Sequence, residues 1–251
     1  MAKITILGSA NAVADHSHEN AHFAISTGNR FILIDCPNNP IMRLSDVGLD
    51  FHQLTDLILT HFHPDHVSGV PLLLMNMWLL GHRSPLRIHG LQHTIERMKK
   101  LMDLFDWKEW INFFEVTFHA LPENNMSIAV DDDDFRIYTS PVCHMIPTMG
   151  MRVEMVKSGK VLAYSCDTTP CPSLYDLAFN ADVLIHEAAG EFPGHSSAFQ
   201  AGQVAQNAGA KSLYLIHYDV DPKISKGLTA QAESAYSGQI YLAEDFLEID
   251  L

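Results

Sequence analysis

The sequence predicts an α/β protein built as one domain, and three features indicate this class. Short runs rich in β-branched and aliphatic residues recur along the chain, separated by turn-forming residues. In the last third, such runs alternate with segments of helical composition. The chain has 251 residues, 47% of them hydrophobic, which is enough for a full core without disulfides. Because the sequence contains no repeat, low-complexity tract or linker, we expect residues 1–251 to form a single domain.

Each predicted element follows from local composition and from the turn residues around it. Strands are predicted at 3–7, 22–26, 30–35, 56–60, 86–89, 116–119, 135–141, 149–156, 160–165, 183–186 and 212–217. Helices are predicted at 72–80, 92–105, 172–180 and 197–208, with the basic side chains of the second facing solvent. The four consecutive aspartates at 131–134 lack the spacing and glycine of a calcium loop, so we expect a solvated hairpin end there.

The charge of the chain limits its partners. It has 30 acidic and 16 basic residues, which give a net charge of −14 at pH 7. A field of this sign repels polyanions, so general nucleic-acid binding is disfavoured. One basic cluster stands out in the sequence and is more typical of a solvated helix face than of a nucleic-acid site: Arg83, Arg87, Arg97, Lys99, Lys100 and Lys108.

Cysteine usage and the N-terminal residues bear on the compartment. The four cysteines form no CxxC pair and no regular framework, which is typical of reduced thiols. The first residues lack the apolar stretch and cleavage site of a signal peptide. The longest apolar run, 67–81, is too short to span a bilayer. We therefore expect a cytoplasmic protein without a membrane anchor.

A histidine cluster carries the strongest chemical signal. The chain has 15 histidines, and four ligand-type residues fall within six positions after the strand predicted at 56–60: His61, His63, Asp65 and His66. Residues two apart on an extended chain point the same way, so His61 and His63 can bind one metal. Asp65 and His66 then point to a second position beside it. A chance cluster is the alternative, but four such residues on a strand-to-helix loop favour metal binding.

Two such positions need more ligands than this loop supplies. Three candidates each follow an apolar β run, and the carboxylate among them can bridge two cations: His144, Asp167 and His217. Each also has a purely structural explanation. His144 can be a loop histidine, Asp167 a turn cap, and His217 a partly buried core residue.

Taken in order, these motifs resemble the metallo-β-lactamase superfamily, and within it the ribonuclease Z-like branch, over nearly the whole chain. The supporting motifs are THFHPDHVSG at 60–69, PVCH at 141–144 with Gly150, YSCDT at 164–168, HEA at 186–188, GHSS at 194–197, and His217. The resemblance implies a four-layer αββα sandwich with a dinuclear site at one edge between the two sheets. It implies one metal held by His61, His63, His144 and Asp167, and the other held by Asp65, His66, Asp167 and His217.

The same resemblance assigns roles to two further residues. In this branch the histidine that matches His195 lies beside the metals and is oriented by the glutamate that matches Glu187. A strand-end surface acid is the alternative for Glu187, and a helix-start residue is the alternative for His195. Because both the HEA and the GHSS motif are present, the interpretation that His195 lies beside the metals and is oriented by Glu187 is favoured.

The chain also differs from the family pattern in two places. Enzymes that process tRNA usually carry a long arm between the positions matching His144 and Asp167, which here are only 23 residues apart. The N-terminal loop also differs from the family pattern, and it carries histidines that are either surface residues or line the cleft: His16, His18 and His22. Relatives of the branch are often dimers, so a homodimer is expected.

The chemistry expected is hydrolysis of a phosphodiester by metal-activated hydroxide. Two divalent cations are expected; zinc suits imidazole ligands, and manganese or iron are alternatives. Asp65 would orient the nucleophile and take its proton, and His195 would stabilise or protonate the leaving oxygen. The acidic balance and the missing arm favour a small or nucleotide-type substrate over tRNA. An arylsulfatase or lactonase is the main alternative, because the fold does not determine the electrophile, and a metal sensor without turnover is a third hypothesis.

Overall fold

Two seven-stranded β-sheets form the centre of the molecule, whose computed structural model describes residues 2–251. The first sheet contains β1 (Lys3–Gly8), β2 (His22–Ser26), β3 (Phe31–Ile34), β4 (Leu54–Ile58), β5 (Leu86–Leu91), β6 (Val116–Leu121) and β14 (Glu248–Asp250). The second contains β7 (Ser127–Asp131), β8 (Phe135–Val142), β9 (Thr148–Met155), β10 (Val161–Tyr164), β11 (Val183–Ala188), β12 (Ser212–Tyr218) and β13 (Gln239–Leu242).

The two sheets have related topologies. The strand order is β14-β1-β2-β3-β4-β5-β6 in the first sheet and β13-β12-β11-β10-β9-β8-β7 in the second. Pairing is antiparallel from β14 to β3 and parallel from β3 to β6. Likewise it is antiparallel from β7 to β10 and parallel from β10 to β13. In the second sheet, β8, β10, β11 and β12 therefore all end at the same edge.

Helices cover the outer faces of both sheets. The helices on the side of the first sheet are α1 (Pro40–Asp46), α2 (Pro64–Val67), α3 (Val70–Leu79) and α4 (Gln92–Asp103). Those on the side of the second sheet are α5 (Pro172–Ala178), α6 (Ala198–Ala208) and α8 (Leu228–Glu233), with the single turn α7 (Pro222–Ser225) between the last two. Among residues 2–251, no helix is long and apolar enough to cross a membrane.

Three apolar layers hold these elements together. Successive side chains of a strand point to opposite faces of the sheet, so Ile32 and Ile34 of β3 enter the layer between the sheets. Phe31 and Leu33 pack instead under the helices. Between the sheets, the rings of Phe23 and Tyr164 meet edge to face with centroids 5.0 Å apart. The resulting αββα sandwich confirms the predicted fold class.

All of the predicted strands and helices are present, with ends shifted by at most two residues. Additional elements that the sequence analysis did not predict are β7, β13, β14, α1, α2, α7 and α8; α2 lies within the predicted strand-to-helix loop. The acidic run forms the turn between β7 and β8, as expected, but it also makes ion pairs: Arg30 with Asp132 at 2.6 Å and Lys157 with Asp134 at 2.7 Å. The single-domain boundary at 1–251 stays a prediction, although the two sheets share one continuous core.

Candidate metal centre

Strands from both sheets deliver the predicted site residues to one edge of the sandwich. His61 and His63 follow β4, and α2 carries Asp65 and His66. Within the second sheet, the residues come from the ends of β8, β10 and β12, which point the same way: His144, Asp167 and His217. The structure therefore brings together seven residues spread over positions 61 to 217.

Three imidazoles converge on one point. The Nδ1 atom of His63 lies 3.0 Å from Nε2 of His61 and 3.1 Å from Nε2 of His144. Burial holds the pKa of His61 well below its usual value, and the nearby His66 ring lowers it further. Burial also lowers the pKa values of His63 and His144. These rings are therefore neutral near pH 7, and their nitrogen lone pairs can bind a cation.

A second group lies beside the first. The Oδ2 atom of Asp65 lies 3.6 Å from Nε2 of His66 and 3.4 Å from Nε2 of His217. One oxygen, Oδ2 of Asp167, lies between the two groups, 3.5 Å from His66 Nε2, 3.4 Å from His217 Nε2 and 3.9 Å from His61 Nε2. Asp167 is thus the residue shared by both groups.

Several buried atoms of this cluster have no hydrogen-bond partner. They include Nε2 of His66 and Oδ1 of Asp167. Burying such groups without a partner costs free energy, and a cation bound among them would remove that cost. Imidazole and carboxylate are also the ligands that divalent transition metals favour. The residues present therefore fit divalent metal ions.

Asp35 supports the cluster from behind, and the sequence analysis did not identify it. Its buried carboxylate accepts hydrogen bonds from the Thr60 amide, from the Thr60 hydroxyl and from Nδ1 of His66, each at 2.8 Å. Burial alone would lower the pKa of His66, but the carboxylates of Asp167 and Asp35 raise it well above its usual value. The sequence position of Asp35 could have identified it. Asp35 directly follows β3, and because β3 and β4 are parallel neighbours, the ends of the two strands lie at the same edge of the sheet.

Three residues at the site have left-handed backbone conformations. Asp35, Cys166 and His217 have φ values of 60°, 53° and 52°. Non-glycine residues rarely adopt this region, and such residues concentrate at functional sites, where the surrounding structure holds them in place. Asp35 and Cys166 adopt this conformation just after β3 and β10, and His217 adopts it near the end of β12.

Glu187 and His195 form a second arrangement beside the cluster. Oε1 of Glu187 lies 3.0 Å from Nδ1 of His195, and its two oxygens also accept from the backbone amides of Thr168 and Ala189. Glu187 is fully buried, so it is not a surface acid. The hydrogen bond to Glu187 raises the pKa of His195, while burial raises the pKa of Glu187. The His195 ring stacks on the His217 ring with centroids 5.8 Å apart.

An open cleft of about 430 Å³ leads to these residues. Its polar lining comprises Asn11, His63, Asp65, Asp167, His195 and His217. Of the N-terminal loop, residues 11–13 line the cleft, whereas its histidines do not. His22 is buried with Nδ1 2.8 Å from the Asn20 carbonyl oxygen, and His18 pairs with Asp15 at 3.0 Å.

Comparison with known proteins gives a family and close structural matches. The sequence model of the family described as "Anti-Pycsar protein Apyc1" matches residues 2–241. A ribonuclease Z from Mycobacterium sp. (strain KMS) is 28% identical over 280 positions, which cover 100% of this chain and 96% of the relative. A ribonuclease Z from Methanothermobacter thermautotrophicus is 25% identical over 307 positions, with 100% and 97% covered.

Solved structures share the fold over almost the full length. The metallo-β-lactamase fold protein YhfI from Bacillus subtilis matches with a TM-score of 0.83 and 21% identity, covering 99% of this chain and 98% of its own. The short form of human tRNase Z matches with a TM-score of 0.80 and 24% identity, with the same coverage. Together with the ribonuclease Z relatives, they confirm the resemblance that the motifs indicated.

Proposed function

The chain belongs to the family described as anti-Pycsar protein Apyc1, and from this premise we propose that it hydrolyses small, nucleotide-type phosphodiesters with two divalent metal ions. One observation carries the proposal: the seven candidate ligands meet at one edge of the sandwich, and four of them line the cleft that also contains His195, the partner of the buried Glu187. Relatives named ribonuclease Z support a metal-dependent hydrolase of the phosphodiesterase type.

In the proposed site, one ion would be held by His61, His63, His144 and Asp167. The other would be held by Asp65, His66, Asp167 and His217. When bound, such ions polarise a phosphoryl oxygen and make hydroxide available near neutral pH. Zinc suits the imidazole-rich set, and manganese and iron accept the same ligand types.

Two side chains of the cleft are suited to accept and donate the protons of the reaction. Asp65 is on the cleft wall, and although burial opposes it, the rings of His217 and His66 keep its pKa below the usual value. It is therefore ionised near pH 7 and can accept the proton of the attacking water. His195 lies in the same cleft with Nε2 free of the Glu187 bond, and its raised pKa suits it to donate a proton to the leaving oxygen.

The shape of the molecule supports a small substrate. Between His144 and Asp167 the chain forms only β9, a turn and β10, so there is no arm to hold a long RNA. The cleft volume is in the range of small-ligand sites. The net charge of −14 also opposes a long polyanion. The homodimer and the cytoplasmic location expected from the sequence stay predictions.

The test couples metal analysis to activity. Purified wild-type protein should contain about two metal ions per chain and hydrolyse bis(4-nitrophenyl) phosphate, with no turnover of sulfate esters or lactones. His195→Ala should keep its metal and lose activity by about 10²–10⁴-fold, because it removes only the proton donor. His52→Ala, at an exposed histidine of the helical turn Phe51–Gln53, is the matched control and should stay near wild type.

Three results would count against the proposal. Turnover of sulfate esters or lactones without diester hydrolysis would make the chain a different hydrolase. Loss of metal in His195→Ala would mean that His195 is a ligand, so its proton-donor role would be wrong. Metal-loaded protein that is inert on all three substrate classes would favour a sensor.

A further inference from the structure

The mouth of the cleft is apolar, unlike its floor. Three large apolar side chains line it and remain mostly exposed: Val13 at 73%, Met145 at 63% and Phe192 at 61%. The same cleft holds the imidazoles and carboxylates of the candidate metal centre. Grouped exposed apolar side chains beside a polar site are typical of a surface that binds a ligand with an apolar part.

The backbone holds Phe192 in place. Gly190 has φ +126°, and a Cβ atom at that position would lie 2.6 Å from Cε2 of the Phe192 ring. The Phe192 amide donates to the Gly190 carbonyl at 2.9 Å, and the His195 amide donates to the Phe192 carbonyl at 3.0 Å. Phe192 is thus an exposed ring on a short, closed loop that also carries the candidate proton donor.

Met145 is coupled to the same loop and to the metal centre. It directly follows His144, whose Nδ1 lies 2.7 Å from the Gly194 carbonyl oxygen. A Cβ atom at Gly194, which has φ +82°, would lie 2.8 Å from Nδ1 of His144 and 3.3 Å from Cγ of Met145. Only glycine allows this approach, so the loop that carries Phe192 is packed against Met145.

Val13 comes from a different part of the chain. Its amide donates to the Asn11 side chain at 2.9 Å, and the Asn11 amide donates to the Tyr218 carbonyl at 3.0 Å. The N-terminal loop is therefore joined to the end of β12, next to His217. Three separate segments contribute to the apolar mouth, and each is bonded to a residue at or beside the metal centre.

We infer that Phe192, with Met145 and Val13, binds the nucleobase of the substrate while its phosphodiester reaches the metal centre. This inference rests on the proposed function. A nucleotide has a flat base, whose faces can pack on apolar side chains, and an anionic phosphate, and the cleft offers a matching apolar mouth and polar floor. Aromatic rings and thioethers pack well on the face of a base, and every base has such a face. Binding by stacking should therefore tolerate both purines and pyrimidines.

The experiment compares two diesters that share a leaving group. Thymidine 5′-(4-nitrophenyl) phosphate carries a base, and methyl 4-nitrophenyl phosphate carries none. For the metal-loaded wild type, kcat/KM should be higher for the nucleoside diester than for the methyl diester, and the quotient of the two kcat/KM values is the ratio compared between variants. Phe192→Ala should lower this ratio by about tenfold or more, which corresponds to about 1.4 kcal/mol. Phe192→Tyr, which keeps an aromatic face, should preserve the ratio.

Phe179→Ala is the matched control. Phe179 is 62% exposed, and it is not among the residues that line the cleft. The ratio should stay at the wild-type value in this variant. An unchanged ratio in Phe192→Ala would overturn the inference, as would an equal loss on both substrates, which would mean that Phe192 only supports the His195 loop.

A binding measurement separates this inference from the proposed function. If metal-loaded wild type hydrolyses neither diester, the proposed function fails, and thymidine 5′-monophosphate binding by calorimetry then decides about Phe192. Binding that Phe192→Ala weakens about tenfold would support the base site. The absence of binding, or equal binding by both proteins, would overturn it.

Discussion

A single buried carboxylate, Asp35, organises the loop that carries most of the candidate ligands. Through its three hydrogen bonds it links Thr60, which precedes His61, to the ring of His66. Because Nδ1 of His66 is bonded to Asp35, its Nε2 is turned toward Asp65 and Asp167. Partners of this kind orient metal ligands and raise their basicity.

Asp35→Asn should weaken metal binding by about 10–100-fold, because the amide cannot reproduce all three accepted bonds. Competition with a chelator of known affinity, on folded protein, measures the change. Asp103→Asn, which neutralises an exposed carboxylate at the end of α4, is the control and should bind metal like wild type. Equal affinities in wild type and Asp35→Asn would contradict this role.

Glu187 should determine the pH range of activity. Its hydrogen bond raises the pKa of His195, so the ring stays protonated to a higher pH than an ordinary histidine. Glu187→Gln removes that effect and lowers the pKa of His195. If protonated His195 is the proton donor, the loss of kcat on the alkaline side should move to lower pH, with kcat reduced about 10–100-fold.

The pH profiles of kcat for wild type and Glu187→Gln measure this shift. Glu109→Gln, at an exposed position on the turn Trp107–Glu109, should leave the profile in place. An alkaline limb that stays at the same pH in Glu187→Gln would mean that the pair has only a structural role.

At the scale of elements, the segment from α2 to α3 depends on a close backbone approach. Gly69 lies between the two helices, and its amide donates to the Cys36 carbonyl at 2.9 Å. The Cys36 amide in turn donates to the His66 carbonyl at 2.7 Å. A Cβ atom on Gly69 would lie 1.6 Å from the Asn38 carbonyl oxygen. The loop after β3 and the helix with Asp65 and His66 therefore fit together only with glycine at 69.

Gly69→Ala should destabilise the protein by about 1–3 kcal/mol, because the Asn38 backbone must move away. Chemical denaturation measures the free energy of unfolding. Gly28→Ala is the matched control, since a Cβ atom there meets nothing within 4 Å, and it should change stability by less than about 1 kcal/mol. Similar stabilities of the two variants would show that the contact is not restrictive.

At the scale of the whole molecule, a strongly acidic chain surrounds the candidate metal centre. The net charge is −14 at pH 7, and the charged and imidazole side chains that line the cleft are three histidines and two aspartates. Bound divalent ions make such a site locally positive. A small anion needs to meet only the cleft, whereas a long nucleic acid must also lie along the acidic surface.

We therefore expect precursor tRNA to be cleaved at least about 100-fold less efficiently than a nucleoside diester, as judged by kcat/KM. Raising salt from about 50 to about 200 mM weakens a dedicated nucleic-acid binder by orders of magnitude. For this protein, raising the salt concentration should not weaken RNA binding in this way, because the acidic surface repels the RNA phosphates and salt screens that repulsion. Efficient 3′ processing of precursor tRNA that falls steeply with salt would contradict the expectation.

Local sequence patterns were enough to predict most of the secondary structure and the loop that carries four candidate ligands. The strand β4 followed by His61, His63, Asp65 and His66 was predicted from composition and spacing, as were most strands of both sheets. Elements that were missed are short or lie at sheet edges. The edge strand β13, for example, is half exposed, so its apolar alternation is weak. The helix α1 had a usable signal, since Asn39 caps it and Pro40 is its first residue.

The sequence by itself determined the candidate ligand types and their order along the chain, and it predicted the class of chemistry, because spacing on one strand or loop is a local property. The tertiary structure decided which residues meet. It placed Asp35 behind His66, Asp167 between two groups of histidines, and Phe192 at the mouth of the cleft. These contacts join residues from different strands and loops, and only the packing of two sheets, which buries their shared apolar faces, brings the strand ends to one edge.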